Sequence, residues 1–248
     1  MIILSILFFV TALIYSSVGF GGGSTYLAIL LIWGIPYTIF PVIALVCNII
    51  VVSGNSINFI RSKNINFNLL FPYLIGSIPF AFIGGSITIE KSLFEILLFC
   101  VLLVAGIFLL IESKSFNKEQ IKINQIPKLL SISIGSIIGF MSGLVGIGGG
   151  IFLSPLLFLM KAGYPRHITS SASLFILINS IFGIAGQLTK NQILDQVIIY
   201  WPLFLSVLVG GQIGSVLNIK FLPNKILALL TSFLVIFVAI RIGIKLIA

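Results

Sequence analysis

Two short glycine runs are the part of this sequence best suited to chemistry. Val18–Gly23 (VGFGGG) and Val145–Gly150 (VGIGGG) occur once in each half of a chain of 248 residues. Glycine permits backbone conformations with positive φ and leaves the backbone N–H groups uncovered. If Ser24 and Ile151 begin short helices, their free N–H groups and positive dipole ends can bind an anion. Close helix packing through small residues is the alternative interpretation.

Polar side chains near the two runs complete the predicted site. No Lys or Arg lies in the middle of an apolar segment, so neutral donors would have to hold an anion. Each polar residue has an alternative role in an interhelical hydrogen bond. The candidate substrate-binding residues are Gly21, Gly22, Gly23, Ser24, Thr25, Asn48, Gly148, Gly149, Gly150, Ser154, Ser171 and Ser173.

The acidic residues argue against a cation substrate. All five lie at or near the ends of apolar segments: Glu90, Glu95, Glu112, Glu119 and Asp195. Cation transporters and proton pumps commonly place a carboxylate inside the membrane.

Catalytic signatures are missing from the sequence. The single histidine, His167, stands beside Arg166 in a predicted loop, and no G-x-x-x-x-G-K-[ST] phosphate-binding loop occurs. No Cys/His cluster has the spacing of a metal site. We therefore expect no enzyme activity, no metal and no cofactor.

The composition is typical of a helical membrane protein. Hydrophobic residues make up 59% of the chain and charged residues only 8%, whereas a soluble domain carries about 25% charged residues. The net charge of +9 is explained by Lys and Arg in loops that set membrane orientation. We expect a lipid bilayer, and no nucleic acid, as a partner.

The chain is an internal duplication. Besides the glycine runs, Gly34–Pro36 matches Gly163–Pro165, and two further pairs, Ser77/Ser206 and Gly85-Ser86/Gly214-Ser215, follow in the same order. These later markers share one common offset, which differs from that of the glycine runs by a short slip. We divide the chain into a first membrane repeat, 1–111, a linker, 112–127, and a second membrane repeat, 128–248.

Each repeat contains two short apolar runs around its glycines and three longer ones. The short runs cover about 33 residues, near 50 Å as helix, which is too long for one crossing. They predict a glycine-tipped helical hairpin, and whether it is re-entrant or fully spanning stays open. The apolar runs are 2–15, 26–33, 38–57, 67–89 and 93–111, then 129–144, 151–160, 168–188, 196–218 and 222–247.

A hairpin followed by three spans crosses the membrane an odd number of times, which makes the two repeats inverted. This arrangement divides the basic residues 10 to 4 between the two faces, against 9 to 5 for parallel repeats. The fold class is therefore an all-α polytopic membrane protein with two inverted repeats. By the positive-inside rule the linker is cytoplasmic and both termini are outside the cell membrane.

Both halves resemble the sulfite exporter TauE/SafE family of membrane permeases. The resemblance rests on the two glycine runs, the prolines Pro36 and Pro165 that follow them, and the small polar segment Ser170–Phe175. It covers essentially the whole chain. The resemblance implies transport of small sulfur-containing anions such as sulfite or organosulfonates.

Together these features predict a secondary transporter, an exporter or permease for a small anion in the inner membrane. An anion channel of the same fold and a non-transporting scaffold are the alternatives. The direction of transport, a coupling ion (proton or sodium) and a homo-oligomer all stay open.

Overall fold

The computed structural model describes residues 1–115, 123–190 and 193–220, with isolated positions 233, 236, 240, 243 and 244. The described ranges are helical and contain no strand. Residues 116–122 of the predicted linker and most of the predicted segment 222–247 lie outside the described residues. The helices are α1 Ile2–Val18, α2 Gly23–Ile32, α3 Phe40–Arg61, α4 Phe67–Ser86, α5 Lys91–Ser115, α6 Lys128–Val145, α7 Gly150–Leu159, α8 Pro165–Gln187, α9 Ile193–Ile198 and α10 Trp201–Lys220, with a 3₁₀ turn at Tyr37–Ile39 before α3.

Four of the described helical stretches are long and apolar enough to cross a membrane: Tyr37–Arg61, Phe67–Ser86, Lys128–Val145 and Arg166–Gln187. Large apolar side chains such as Phe71, Ile137 and Val209 point outward. Exposed apolar surface on this scale suits contact with lipid rather than water. The chain is accordingly a multi-pass membrane protein.

The predicted apolar runs that fall in the described ranges correspond to helices, with one difference in the second half. The run predicted over 196–218 is divided into α9 and α10. The division lies at Ile199 and Tyr200, where the Tyr200 N–H donates to Val197 O at 2.9 Å. Pro202 follows directly, and proline fits the first turn of a helix because it lacks an N–H. The helix therefore restarts at Trp201.

The two halves pack on each other reciprocally. The most extensive contacts join α4 with α6 and α1 with α10. Glycines let the backbones touch: a Cβ on Gly139 of α6 would collide with Ser77 of α4, and one on Gly214 of α10 would collide with Leu13 O of α1. The first helix of each predicted repeat thus packs on a helix of the other, through the small residues that membrane helices use for close approach.

Helices α3 and α8 lie antiparallel at the centre. Near the start of α8, Ser170 Oγ donates to Asn64 O, just beyond the end of α3, at 2.7 Å. At the opposite end, Pro41 of α3 and Gln187 of α8 line one cavity. The start of each helix therefore lies beside the end of the other.

The start of α6 lies beside the end of α7. Asn124, before α6, donates its backbone N–H to Lys161 O at 3.0 Å. Its side-chain Nδ2 donates to Met160 O, directly after α7, at 3.2 Å. The chain therefore runs inward along α6 and returns along α7 to the same end of the molecule, as a helical hairpin does.

Candidate functional site

The two glycine runs have matching backbone conformations where one helix ends and the next begins, although Gly148 has positive φ (84°) and its counterpart Gly21 does not. Gly19 (φ 88°) ends α1 and Gly146 (φ 92°) ends α6, both in the left-handed region. Gly22 (φ 89°) and Gly149 (φ 79°) then cap the starts of α2 and α7 in the same region. Residues with a Cβ are strained at these angles, so glycine is required at all four positions.

The two helix ends differ in one hydrogen bond. At the end of α1, Gly19 N–H donates to Ser16 O at 3.0 Å and Phe20 N–H to Tyr15 O at 2.9 Å, which is a Schellman motif. At the end of α6, Gly146 N–H donates to Ser142 O at 2.8 Å, the simpler left-handed cap.

A side chain from α8 completes the end of α6. The carbonyl of Gly143, which corresponds to Ser16, accepts a hydrogen bond from Gln187 Nε2 at 2.9 Å. Gln187 is fully buried.

The short helices begin one residue earlier than predicted, at Gly23 and Gly150. In α2, the Thr25 N–H donates to Gly22 O at 3.0 Å, and corresponding bonds in α7 run to Gly149 O. The N–H groups of the first two residues in each helix come before this first hydrogen-bonded turn. No carbonyl within the same helix can accept a hydrogen bond from them. The expected main-chain donors are therefore present at both helix starts.

Asn48 of α3 joins the two runs. It is fully buried, and its Nδ2 donates to Ile147 O in the second run at 3.1 Å. A Cβ on Gly21, Gly23 or Gly148 would collide with the Asn48 amide. Glycine at these places therefore makes room for one amide between the two runs. We call this meeting point, formed by Gly21, Gly23, Asn48, Ile147 and Gly148, the glycine junction.

Several buried polar atoms around the junction have no hydrogen-bond partner in the described part of the chain. Leaving such an atom unpaired costs about 1–3 kcal/mol, so their concentration here indicates a place for water or a ligand. Ser180 Oγ lies close to Gly148, and Ser142 lies beside Gly149. The atoms beside the two glycine runs are Asn48 Oδ1, Tyr26 Oη, Ser142 Oγ and Ser180 Oγ, and two further unpartnered atoms, Ser171 Oγ and Asn179 Oδ1, lie elsewhere on α8.

Tyr15 is a functional candidate that the sequence did not reveal. Its hydroxyl forms a hydrogen bond with Thr25 Oγ1 at 2.7 Å and a longer one with Ser24 Oγ at 3.4 Å. The side chain is buried and holds the two predicted hydroxyls at the start of α2. In the sequence Tyr15 stands at the end of an apolar run. A tyrosine buried at such a position still needs a hydrogen-bond partner for its hydroxyl.

The remaining predicted serines lie along α7 and α8. Ser154 is fully buried, one turn beyond Gly150. Ser173 Oγ lies 3.4 Å from Ser56 Oγ of α3, and Ser56 is about 12 Å further along α3 than Asn48. Ser171 is also fully buried. The structure thus brings Gly21, Gly23, Asn48 and Gly148 together and places Ser173 two helical turns away.

The cavity at the junction is nearly closed. It measures about 10 Å³ and is lined by Gly21–Ser24 together with Tyr15, Ile147 and Ile176, among others. A water molecule needs a cavity of roughly this size, so the conformation seen here has no room for a larger solute.

One family model matches nearly the whole chain, and the similar proteins are described as membrane transporters. The family model described as "Sulfite exporter TauE/SafE" matches residues 4–242. A probable membrane transporter protein of Sinorhizobium fredii is 29% identical over 233 residues, covering 93% of each chain. One from Methanocaldococcus jannaschii is 29% identical over 249 residues, covering 94% of this chain and 91% of its own. No solved structure matches the chain.

Proposed function

Because the chain belongs to the sulfite exporter TauE/SafE family and is a membrane transporter rather than an enzyme, we propose that it is a secondary transporter of a small sulfur-containing anion. Sulfite and organosulfonates are the proposed substrates. The family description names sulfite, and the names of the relatives describe membrane transporters without a substrate.

The observation that carries this proposal is the glycine junction. Two helix starts, each capped by a left-handed glycine, come within reach of a single buried amide, Asn48. Helix starts attract negative charge because their N–H groups are unpaired and their dipole ends are positive. Discontinuous helices meeting near the midplane are also the usual place for substrate in transporters with internal repeats.

Neutral donors are sufficient for the affinity that a transporter needs. A hydrogen bond to a charged group contributes about 1.5–3 kcal/mol, and a helix dipole about 0.3–2 kcal/mol. Micromolar affinity corresponds to about −8 kcal/mol. The proposed ligands are the N–H groups at the helix starts of both runs, together with Ser24, Thr25 and Asn48. Ser154, Ser171 and Ser173 are proposed to contact the anion further along its path through the protein.

The closed cavity favours a carrier over a channel. A channel needs a continuous opening, whereas a carrier exposes its site to one side at a time. The cavity at the junction measures about 10 Å³, so an anion could enter only after a conformational change. The antiparallel pair α3 and α8, which are corresponding helices of the two repeats, supports the inverted arrangement.

The proposed orientation places the linker 112–127 in the cytoplasm and both termini outside the cell. Cysteine labelling in intact cells tests it in a Cys100→Ser background, since Cys100 is exposed and Cys47 is buried. A cysteine at Lys118 should react only after the cells are opened, and one at Ala248 should react from outside. The opposite pattern would reverse the orientation.

Flux measurements on the purified chain test the transport proposal. Proteoliposomes are loaded in turn with sulfite, methanesulfonate, sulfate or chloride as the internal anion. Counterflow of labelled sulfite or methanesulfonate should saturate as the concentration of the labelled anion rises. Flux that rises without saturation would indicate a channel. Absence of flux for every anion in the panel, from a chain that stays folded, would contradict transport of this class.

A further inference from the structure

A second, larger cavity lies at the end of the molecule where α3 begins and α8 ends. Its volume is about 300 Å³, enough for a small anion and several waters, each of which occupies about 30 Å³ in the liquid. We call this cavity the Lys190 vestibule. Its polar lining residues are Tyr37, Thr38, Thr88, Gln187, Lys190 and Gln196.

Lys190 is the one charged side chain among the described residues that line this vestibule. It is half-buried and lies beyond the end of α8. Its Nζ donates to Gln187 Oε1 at 2.9 Å. An ammonium group has three donors, so this single described bond leaves Lys190 able to bind a further acceptor in the vestibule.

The hydrogen-bond chain behind Lys190 holds the ammonium in place. Gln187 Nε2 donates to Gly143 O at 2.9 Å, which leaves Oε1 as the acceptor for Lys190. A carbonyl on one side and an ammonium on the other fix the orientation of the amide without ambiguity. Because Gln187 is fully buried, the lysine is tethered to the end of α6.

The vestibule adjoins the glycine junction. Leu144 and Pro41 both line it. Leu144 stands two residues before Gly146, and a Cβ on Gly146 would collide with Pro41. One layer of residues therefore separates the vestibule from the second glycine run.

Burial at this position has an electrostatic cost that an anion would offset. Burial lowers the pKa of Lys190 from 10.5 to about 8, because removing an ammonium group partly from water disfavours its charged form. The group stays mostly protonated at neutral pH. A negatively charged occupant of the vestibule would stabilise the protonated form.

We infer that the Lys190 vestibule is an anion-binding site through which the substrate passes before it reaches the glycine junction, with the Lys190 ammonium as its charged ligand. This inference rests on the proposed transport of small anions. It adds a positively charged step to a path whose central site contains only neutral donors.

Substitution of Lys190 tests the inference in the full-length chain. In Lys190→Gln, the KM for methanesulfonate counterflow at pH 7 should rise about tenfold, the effect of losing one hydrogen bond to a charged group. Lys190→Arg should stay within about twofold of wild type because it keeps the charge. Lys128→Gln is the matched control, since Lys128 is exposed at the start of α6, at the other end of the molecule.

A binding measurement that does not require transport keeps the test sharp. Methanesulfonate should raise the unfolding temperature of the detergent-purified chain, with half-maximal effect at about tenfold higher concentration in Lys190→Gln. An unchanged KM and an unchanged half-maximal concentration in Lys190→Gln would overturn the vestibule. Wild-type protein that transports no anion of the panel would instead overturn the proposed function.

The pH profile separates a charged ligand from a packing role. Lys190 is protonated below about pH 8, so the wild-type KM for methanesulfonate, which stays a monoanion, should rise as pH increases from 7 to 9. Other titratable groups nearby are Tyr37 in the lining, Glu90, Lys91 and Glu95 at the start of α5, and Asp195 beside Gln196. Lys190→Arg retains all of these, so a flat profile in that variant assigns the change to Lys190. The same slope in wild type and Lys190→Arg would overturn the assignment.

Discussion

The last glycine of the first run lies against an amide, and the last glycine of the second run lies against an isoleucine at the corresponding place. A Cβ on Gly23 would collide with Asn48 of α3, while one on Gly150 would collide with Ile176 of α8. The residue offset between Asn48 and Ile176 lies between the offset of the two glycine runs and the offset of the later repeat markers. The two residues therefore occupy corresponding positions of the two repeats. The two halves thus hold one backbone arrangement against different side chains.

The same difference extends to the neighbours of the capping glycines. Gly22 lies against Thr11, and Gly149 lies against Ile138, which is the equivalent of Thr11 at the offset of the glycine runs. After the runs, the first half continues with Ser24 and Thr25, and the second continues with Ile151 and Phe152. At the two positions directly after the runs, polar side chains therefore occur only in the first half.

This comparison separates two contributions to the proposed site. The main-chain donors come equally from both halves, because both depend on left-handed glycines at the same positions. The side-chain hydroxyls at the helix starts, Ser24 and Thr25, come from the first half, whereas Ser142 and Ser180 of the second half lie beside Gly149 and Gly148. Asn48 is shared, since it lies in the first half and donates to Ile147 O in the second. Substitutions at corresponding glycines of the two halves should therefore have equal effects. Substitutions at other corresponding positions should have unequal effects.

The largest expected effect is at the capping glycines. Gly22→Leu and Gly149→Leu should each abolish counterflow, because a side chain there is strained at positive φ and would crowd the ring of Tyr26 or Ile138 and Phe175. Gly34→Leu is the control. Gly34 also has positive φ (72°), but nothing lies within 4 Å of its added Cβ.

The Gly34 variant should remain active, with a stability loss of about 1–2 kcal/mol from the backbone alone. Counterflow and the unfolding midpoint of each variant measure the two quantities. Normal transport in Gly22→Leu or Gly149→Leu would assign these glycines to helix packing only.

Replacing the Asn48 amide by an apolar side chain should have the next largest effect. In Asn48→Leu, the KM for sulfite should rise about 10- to 100-fold, because the substrate loses a hydrogen bond to a charged group. Ile176→Leu, the corresponding position in the second half, should change the KM less than twofold. Equal changes in these two variants, both monodisperse on size exclusion, would contradict the asymmetry.

A negative charge near the helix starts should weaken binding by a smaller factor. We expect Ser24→Asp to raise the KM for sulfite about tenfold, because the carboxylate opposes the field that attracts the anion. Ser24→Ala should cost only about one neutral hydrogen bond, a few-fold in affinity.

The matching substitution Ser154→Asp should also weaken transport, though less than Ser24→Asp. Ser154 lies one turn inside α7, whereas Ser24 is the second residue of α2. Equal KM values for Ser24→Asp and Ser24→Ala would show that the anion does not approach the start of α2.

The smallest expected effect concerns stability rather than transport. Tyr15→Phe removes the hydroxyl bonded to Thr25 and should lower the free energy of unfolding by about 1 kcal/mol. Ser142→Ala, at the equivalent position of the second half, should be neutral or slightly stabilising, because Ser142 Oγ has no described partner. Denaturant titration of both variants checks the difference, and an equal loss would contradict it.

The sequence predicted the glycine-centred features well because glycine acts through the backbone. The helix starts after both runs were within one residue of the structure, whereas α1 continues to Val18, three residues beyond the predicted run, and the all-helical fold is confirmed over the described ranges. Asn48 was a candidate as one of the polar residues of the first half that could bind an anion. The site assignments and the inverted orientation stay predictions.

Which face of each helix a side chain occupies could not be predicted. Most of these helices are apolar on every side, so periodicity does not distinguish a lipid-facing position from a buried one. That is why Tyr15 and Ser180 were missed, and why Ser173 was grouped with residues two turns away from it. The break at Ile199 and Tyr200 had a usable signal in Pro202, but the run around it was uniformly apolar.

The reciprocal packing of α1 on α10 has a consequence for biosynthesis. The partner of α4, helix α6, follows it after only about 40 residues, whereas roughly 180 residues separate α1 from α10, a delay of roughly 10–40 s at ribosomal speed. During that interval Ser16 of α1 cannot form the hydrogen bond that its Oγ donates to Gly211 O of α10 at 2.6 Å. Helix α1 is therefore synthesised well before its contacts with α10 can form, and a truncation before Trp201 leaves it without them.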